Sequence, residues 1–133
     1  MTYWLAKTEP DVFSWDELEK KPAIWDGVRN YAARNNLKAM KKGDKVFIYH
    51  SNIGREIVGL ATVIRESFPD PTIDDERWVA VEMKAEKKFK KTLPLDVIKA
   101  TKELQQMKLV TIGRLSVTPV TNEEAKKILA MVK

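Results

Sequence analysis

Most of the chain consists of short segments, separated by turns, that are either apolar throughout or alternate apolar and polar residues. Five of them are rich in β-branched and aromatic residues, which is typical of buried or half-buried strands. These predicted strands are Tyr3–Lys7, Lys45–His50, Glu56–Arg65, Trp78–Lys87 and Leu115–Val120. In the last of them, two-residue alternation places Ser116 and Thr118 on the outward face. Gly59, inside the third, indicates a bulge or a close backbone approach.

Helical segments lie between these strands, and most begin with a recognisable capping signal. Capping boxes start helices at Ser14 and Thr121, Asn30 caps a helix over about 30–40, and a further helical stretch over 95–107 breaks near Thr101. Short strands with inserted helices predict the α+β class. We expect a small antiparallel β-barrel of five to six strands flanked by short helices. Parallel βαβ units are not expected, because strands and helices do not alternate regularly.

Length and composition limit the classes to which the protein can belong. The 133 residues suit a single domain over residues 1–133, and the absence of cysteine excludes disulfide frameworks and cysteine-based metal sites. The first residues do not resemble a signal peptide, and no apolar run is long enough to cross a bilayer. We therefore expect a cytoplasmic monomer that does not associate with membranes. The net charge of +5 permits a polyanionic partner such as nucleic acid.

Candidates for catalysis and metal binding are weak. The one histidine, His50, precedes Ser51 in a predicted strand, where neighbouring side chains point to opposite faces. We expect His50 to form a hydrogen bond or to pack, and not to act as a general base. The acidic loop over residues 70–76 lacks the spacing of a calcium loop. The sequence therefore predicts no metal, no cofactor and no enzymatic activity.

The segment Ile24–Asn36 has the most unusual composition. It holds two aromatic residues, two arginines and three asparagines around a single glycine. Trp and Tyr beside Arg and Asn are residue types that stack on a planar ring and hydrogen-bond to its edges. The segment therefore predicts one wall of a pocket for a base or a similar flat ligand. The alternative is an exposed loop that enters a helix, with Trp25 filling the core.

Several motifs, in order along the chain, resemble those of a known family. They are Lys7–Asp11, Phe13–Trp15, Trp25–Tyr31, Ala33–Leu37, Tyr49–Asn52, Arg114–Val117 and Pro119–Val120. Together they resemble the EVE domain, the family of thymocyte nuclear protein 1-like proteins. The resemblance implies a PUA-like fold, a β-barrel flanked by helices, with kinship to YTH and ASCH domains. It also implies a reader of a modified base in DNA or RNA, such as methylated or hydroxymethylated cytosine or methylated adenine.

The resemblance also implies a set of binding residues. These are Lys7, Ser14, Trp25, Asp26, Val28, Arg29, Asn30, Tyr31, Arg34, Asn35, His50, Ser51, Asn52, Trp78, Arg114 and Ser116. Trp25 is expected to stack on a flipped base, and Trp78 could complete an aromatic cage. If Trp25 faces the pocket it contributes little to the core, so Trp25→Ala should leave the fold largely intact. Trp4 and Trp15 are expected in the core.

Polar members of the set have assigned roles. Lys7, Ser14, Asn30, Ser51 and Asn52 would read base edges or a neighbouring phosphate. Arg29, Arg34 and Arg114 would contact phosphates, and Ser116 would line the floor beside Arg114. For Arg29 and Arg34, an ion pair with Asp26 or Glu17 is the alternative.

Two other functions remain open. A small hydrolase of modified nucleosides, like some ASCH-type relatives, would need a poised base, for which Lys7 with Glu9 is the candidate pair. A domain that binds a peptide or a metabolite in the same pocket is the third hypothesis.

Overall fold

The computed structural model describes residues 1–133 and confirms the α+β class. The strands are β1 (Tyr3–Thr8), β2 (Ala23–Trp25), β3 (Lys45–His50), β4 (Glu56–Pro69), β5 (Val79–Pro94) and β6 (Val117–Val120). The helices are α1 (Trp15–Lys20), α2 (Tyr31–Ala39), α3 (Leu95–Ala100), α4 (Lys108–Thr111) and α5 (Asn122–Met131), with a 3₁₀ turn at Lys102–Leu104. None of the helices combines the length and apolarity needed to span a bilayer.

The helix starts predicted from capping residues in the sequence are confirmed. Ser14 and Thr121 form complete capping boxes, and the Asn30 side chain accepts from the N–H of Ala33. The helical stretch after Pro94 breaks at Thr101, as predicted. The short strand β2 was not predicted, and β4 and β5 extend well past their predicted ends.

The six strands form one sheet in the order β2-β5-β4-β3-β1-β6. One pairing departs from the antiparallel arrangement that the sequence predicted, because β1 runs parallel to β3, with Lys7 opposite Tyr49. A parallel pair needs a crossover connection, typically of a dozen or more residues. Here the crossover contains α1, β2 and α2, and therefore the whole segment Ile24–Asn36.

Both faces of the sheet are covered. Along β3, Val46 and Ile48 join a core with α1 and α2, whereas Phe47 and Tyr49 join a second core with α3 and α5. This explains why one prediction is wrong: Thr118 is fully buried, although the alternation in β6 placed it outward. Alternation separates a core face from a wet face only where one side of a sheet meets solvent.

Trp15, the first residue of α1, packs directly against the sheet. Its ring lies against Gly59 of β4, where a Cβ atom would come within 2.6 Å of the ring carbons. The β4–β5 register shifts between Ile57 and Gly59, so the predicted bulge is present, and the group that closely approaches the Gly59 backbone is the Trp15 side chain. Trp4 and Trp15 are core residues, 6% and 2% exposed, as expected.

We expect Gly59→Ala to destabilise the protein by about 1–3 kcal/mol, because the added methyl group must displace the Trp15 ring. The free energy of unfolding in urea, followed by circular dichroism, measures this. Gly113→Ala is the matched control, since a Cβ there would meet no atom within 4 Å. Equal destabilisation by the two substitutions would contradict the role given to the Gly59–Trp15 contact.

Candidate nucleic-acid interface

The ends of β1 and β3 lie at the same edge of the sheet because the two strands are parallel. The backbone N–H of Ser51 donates to the carbonyl of Thr8 at 2.9 Å, and that of Lys7 donates to the carbonyl of Ser116 at 2.9 Å. Residues from three distant parts of the chain therefore meet around Lys7. Two depressions open at this edge, and Lys7 lines both of them.

The first depression, which we call the Trp25 depression, has a volume of about 440 Å³. Its lining residues are Lys7, Thr8, Val12, Phe13, Ile24, Trp25 and Asp26. Val12 and Ile24 are 71% and 43% exposed, so both present apolar surface to solvent. The Phe13 ring meets Trp25 edge-on, with centroids 6.0 Å apart. Apolar walls with a few polar groups are typical of a ligand site.

Trp25 both lines this depression and packs in the core. It is only 9% exposed, and β2 holds it opposite Val81 of β5. The premise that Trp25 contributes little to the core is therefore wrong, and we expect Trp25→Ala to destabilise the fold, since removing a buried Trp typically costs about 3–5 kcal/mol. Val28, another predicted binding residue, is buried in the same core and is not available to a ligand.

The second depression, which we call the Lys99 depression, has a volume of about 410 Å³. Its lining residues are Lys7, Tyr49, Ser51, Asn52, Arg55, Leu95, Lys99, Leu109, Val110 and Gly113. Three of the ten, at positions 7, 51 and 52, were predicted as binding residues. The Lys7 ammonium donates to the carbonyl of Gly113, and burial lowers the pKa of Lys7. It forms no ion pair with Glu9, so the nominated acid–base pair is not assembled.

Arg29 has a different partner from the two that the sequence suggested. It forms an ion pair at 2.9 Å with Asp70, a buried residue that follows β4 directly. The same carboxylate accepts from the N–H of Gly27 at 2.9 Å and from Thr72. Burial opposes ionisation of Asp70, but these hydrogen bonds outweigh it and hold its pKa well below the usual range. The carboxylate thereby fixes the segment that follows Trp25.

Tyr31 and Trp78 form a separate aromatic group. Their rings stack with centroids 5.1 Å apart, and the guanidinium of Arg34 lies 4.9 Å from the Tyr31 centroid. Arg34 has no carboxylate partner and donates instead to Asn35 and to the carbonyl of Arg77. Trp78 does not line the Trp25 depression, so it does not complete an aromatic cage there.

Three of the polar residues that were predicted to bind the ligand form hydrogen bonds within the fold. Ser14 and Asn30 are helix caps, and Nε2 of His50 accepts from the N–H of Trp15 at 3.1 Å. An accepting Nε2 requires the neutral ring, and burial lowers the pKa of His50 accordingly. The prediction that His50 forms a hydrogen bond is confirmed. Arg114 is exposed, next to Gly113 of the Lys99 depression.

Asp26 is the one acidic residue that lines the Trp25 depression. Its pKa is raised from the ordinary value, first because burial disfavours the carboxylate and then because Asp70 adds repulsion. A carboxylate at the rim of an apolar depression can accept hydrogen bonds from an amine. Sequence reasoning missed Val12 and Phe13 of the same depression, whereas Ile24 lies at the start of the segment predicted as a pocket wall.

Comparisons with known proteins agree with this architecture. The EVE domain family model matches residues 2–131. The chain belongs to the EVE domain family. Mouse thymocyte nuclear protein 1 is 37% identical over an alignment that covers 97% of this chain and 73% of the relative. The resemblance seen in the sequence motifs is thus confirmed.

Several solved structures are similar to this EVE domain. The protein Rpa0253 from Rhodopseudomonas palustris is 45% identical, with a TM-score of 0.94 over 99% of this chain and 93% of that one. The human THYN1 protein, solved in complex with DNA containing 5-methylcytosine, is 33% identical, with a TM-score of 0.95 over 100% of this chain and 98% of that one. An ASCH protein from Zymomonas mobilis, at 12% identity and a TM-score of 0.61, shares the fold alone.

The Asp70 hydrogen bonds generate a stability prediction. Asp70→Asn should lower the free energy of unfolding at pH 7 by about 2 kcal/mol, because a buried charged acceptor is lost. The folded-state pKa of Asp70 lies below its unfolded value. Its stabilisation is therefore complete above the unfolded pKa, about 3.9, and is lost as the pH falls through the folded pKa.

Chemical unfolding of the wild type and the variant between pH 7 and pH 2 checks this, and the difference between them should shrink on acidification. Asp74→Asn is the control, since it removes the same charge from an exposed position in the same loop. A pH-independent difference would show that the Asp70 carboxylate does not carry the effect.

Proposed function

We propose that this EVE domain is a nucleic-acid-binding module that holds a modified cytosine in the Trp25 depression. One observation carries the proposal: a relative that superposes over the whole chain was solved with DNA containing 5-methylcytosine. The chain's own net charge of +5 and an apolar depression at a basic edge are consistent with the same ligand class.

The walls of the depression suit a methylated base. Val12 and Ile24 present exposed apolar surface, and Phe13 and Trp25 supply aromatic surface between them. Burial of one methyl group against such side chains is worth about 0.8 kcal/mol. The walls therefore account for a preference of about fourfold for 5-methylcytosine over cytosine.

The polar groups suit the Watson–Crick edge of cytosine. Asp26 accepts from the exocyclic amine, as carboxylates do when they recognise cytosine. Lys7 has donors beyond the one that it gives to Gly113, and these reach the base carbonyl or a phosphate. We assign binding without turnover to this site, because Lys7 and Glu9 are not paired in an acid–base arrangement.

The methyl preference can be tested at the two exposed walls. Val12→Ala with Ile24→Ala should reduce the preference for 5-methylcytosine over cytosine from about fourfold to near unity, because the methyl group loses its apolar contacts. Fluorescence anisotropy with single-stranded oligonucleotides that differ only in that methyl group measures this.

Ile73→Ala is the matched control for the wall variants. Ile73 is 40% exposed, similar to Ile24, and does not line the depression. Wall variants that keep the full methyl preference would place the modified base elsewhere on the protein.

The role of Asp26 can be tested with thymine, which carries a carbonyl acceptor where 5-methylcytosine carries the amine. The wild type should bind 5-methylcytosine at least about tenfold more tightly than thymine in the same sequence, the worth of one hydrogen bond to a charged group. In Asp26→Asn the preference should collapse, because an amide can also donate to the carbonyl of thymine. Unchanged discrimination in Asp26→Asn would exclude this role.

A further inference from the structure

Three cationic side chains in the Lys99 depression have no anionic partner. Lys7, Arg55 and Lys99 form none of the ion pairs of the structure, although other basic residues do, such as Lys45 with Glu86. One carboxylate, Asp96, lies nearby, in an adjoining cavity that Arg55 and Lys99 also line. The depression therefore concentrates positive charge that the protein itself does not neutralise.

A hydroxyl group without a hydrogen-bond partner also points to a ligand. Tyr49 is 3% exposed, with its ring in the core beneath the depression, and it lines the depression itself. Its hydroxyl makes no hydrogen bond within the protein and interacts electrostatically with Arg55 and Asp96. Burial raises the pKa of Tyr49, with a further rise from Asp96 and an opposing effect from Arg55, so the hydroxyl keeps its proton and remains a donor.

The loop that carries Arg55 is held in an unusual conformation. Asn52 and Arg55 are the two non-glycine residues with positive φ, at 66° and 44°, and Gly54 between them has φ 86°. Conformations of this kind persist where the surroundings enforce them, and they cluster at ligand sites. Here the carbonyl of Arg55 accepts from the N–H of Leu95 at 2.9 Å, which fixes the loop against α3.

We propose that the Lys99 depression binds a phosphate group of the nucleic-acid strand, held by Arg55, Lys99 and the Tyr49 hydroxyl. This inference rests on the proposed function, because Lys7 joins this depression to the Trp25 depression. One nucleotide then spans the two, with its base in the first and a neighbouring phosphate in the second. Arg55 and Lys99 were absent from the residues that the sequence predicted, whereas Arg29, predicted for phosphate, is neutralised by Asp70.

The test removes the charges of Arg55 and Lys99, whose side chains form no hydrogen bond or ion pair within the protein. Arg55→Gln with Lys99→Gln should weaken binding of a single-stranded oligonucleotide that carries one 5-methylcytosine by on the order of tenfold, the loss of a charge-assisted contact. The slope of log affinity against log salt should fall by about 0.7 for one lost phosphate contact on a single strand. The control is Lys38→Gln with Lys126→Gln, which removes the same two positive charges from exposed positions on α2 and α5.

A second probe separates the phosphate from the base. The nucleoside 5-methyl-2′-deoxycytidine has no phosphate, so its binding should be the same in the wild type and in the Arg55→Gln, Lys99→Gln variant. Tyr49→Phe keeps the ring and removes the hydroxyl, and should weaken oligonucleotide binding several-fold without loss of stability. Oligonucleotide affinity and salt slope equal to those of the control variant would overturn the proposal, while nucleoside binding in the wild type would leave the proposed function standing.

Inorganic phosphate is the third probe, and it does not depend on the base pocket. In nuclear magnetic resonance titrations of the wild type, phosphate should shift the amide signals of residues 51–55, and these shifts should be lost in the Arg55→Gln, Lys99→Gln variant. If phosphate alone gives the shifts but no oligonucleotide binds, the site takes a free phosphate and the nucleic-acid assignment fails. Absence of the shifts in the wild type would overturn the phosphate site itself.

Discussion

The parallel pairing of β1 with β3 is the constraint on which the rest of the molecule depends. It brings the ends of two strands about forty residues apart in sequence to one edge of the sheet, with Lys7 beside Tyr49 and Thr8 beside His50. A hairpin cannot join parallel strands, so the chain must cross over between them. That crossover carries Phe13 and Trp25 to the same edge, where they form the apolar depression.

The crossover is fixed at two points along its length. Near its start, the Trp15 ring lies against Gly59, and the Trp15 N–H donates to His50, which sets where Phe13 lies. After Trp25, the buried Asp70 carboxylate holds the backbone of Gly27 and the guanidinium of Arg29. None of these contacts uses the side chains of Val12, Ile24 or Asp26, which line the Trp25 depression. The position of the site in the fold is thus set by groups that do not line it.

Charge is distributed unevenly around the two depressions. The Trp25 depression has one cation and one carboxylate, Lys7 and Asp26, whereas the Lys99 depression has cations without a carboxylate. An arrangement of this kind suits a ligand with a nearly neutral, hydrogen-bonding part and an anionic part. A nucleotide has both, and the shared residue Lys7 lines both depressions in this protein.

The sequence by itself determined most of the local structure. Capping boxes at Ser14 and Thr121, the cap at Asn30 and the bulge at Gly59 depend on a few neighbouring residues, and all four are present. The family, too, followed from motifs. Tertiary structure alone decided the burial of Thr118, because coverage of both sheet faces depends on how distant helices pack.

The partners of the charged residues were likewise set by the fold. Arg29 pairs with Asp70, forty-one residues away, and nothing in its local sequence marks that contact. Arg55 and Lys99 line one depression only because the loop before β4 packs against the start of α3 there. Hydrogen bonds and ion pairs between distant residues depend on chain crossings and registers, and these are properties of the whole sheet. Local patterns of residues carry little information about them.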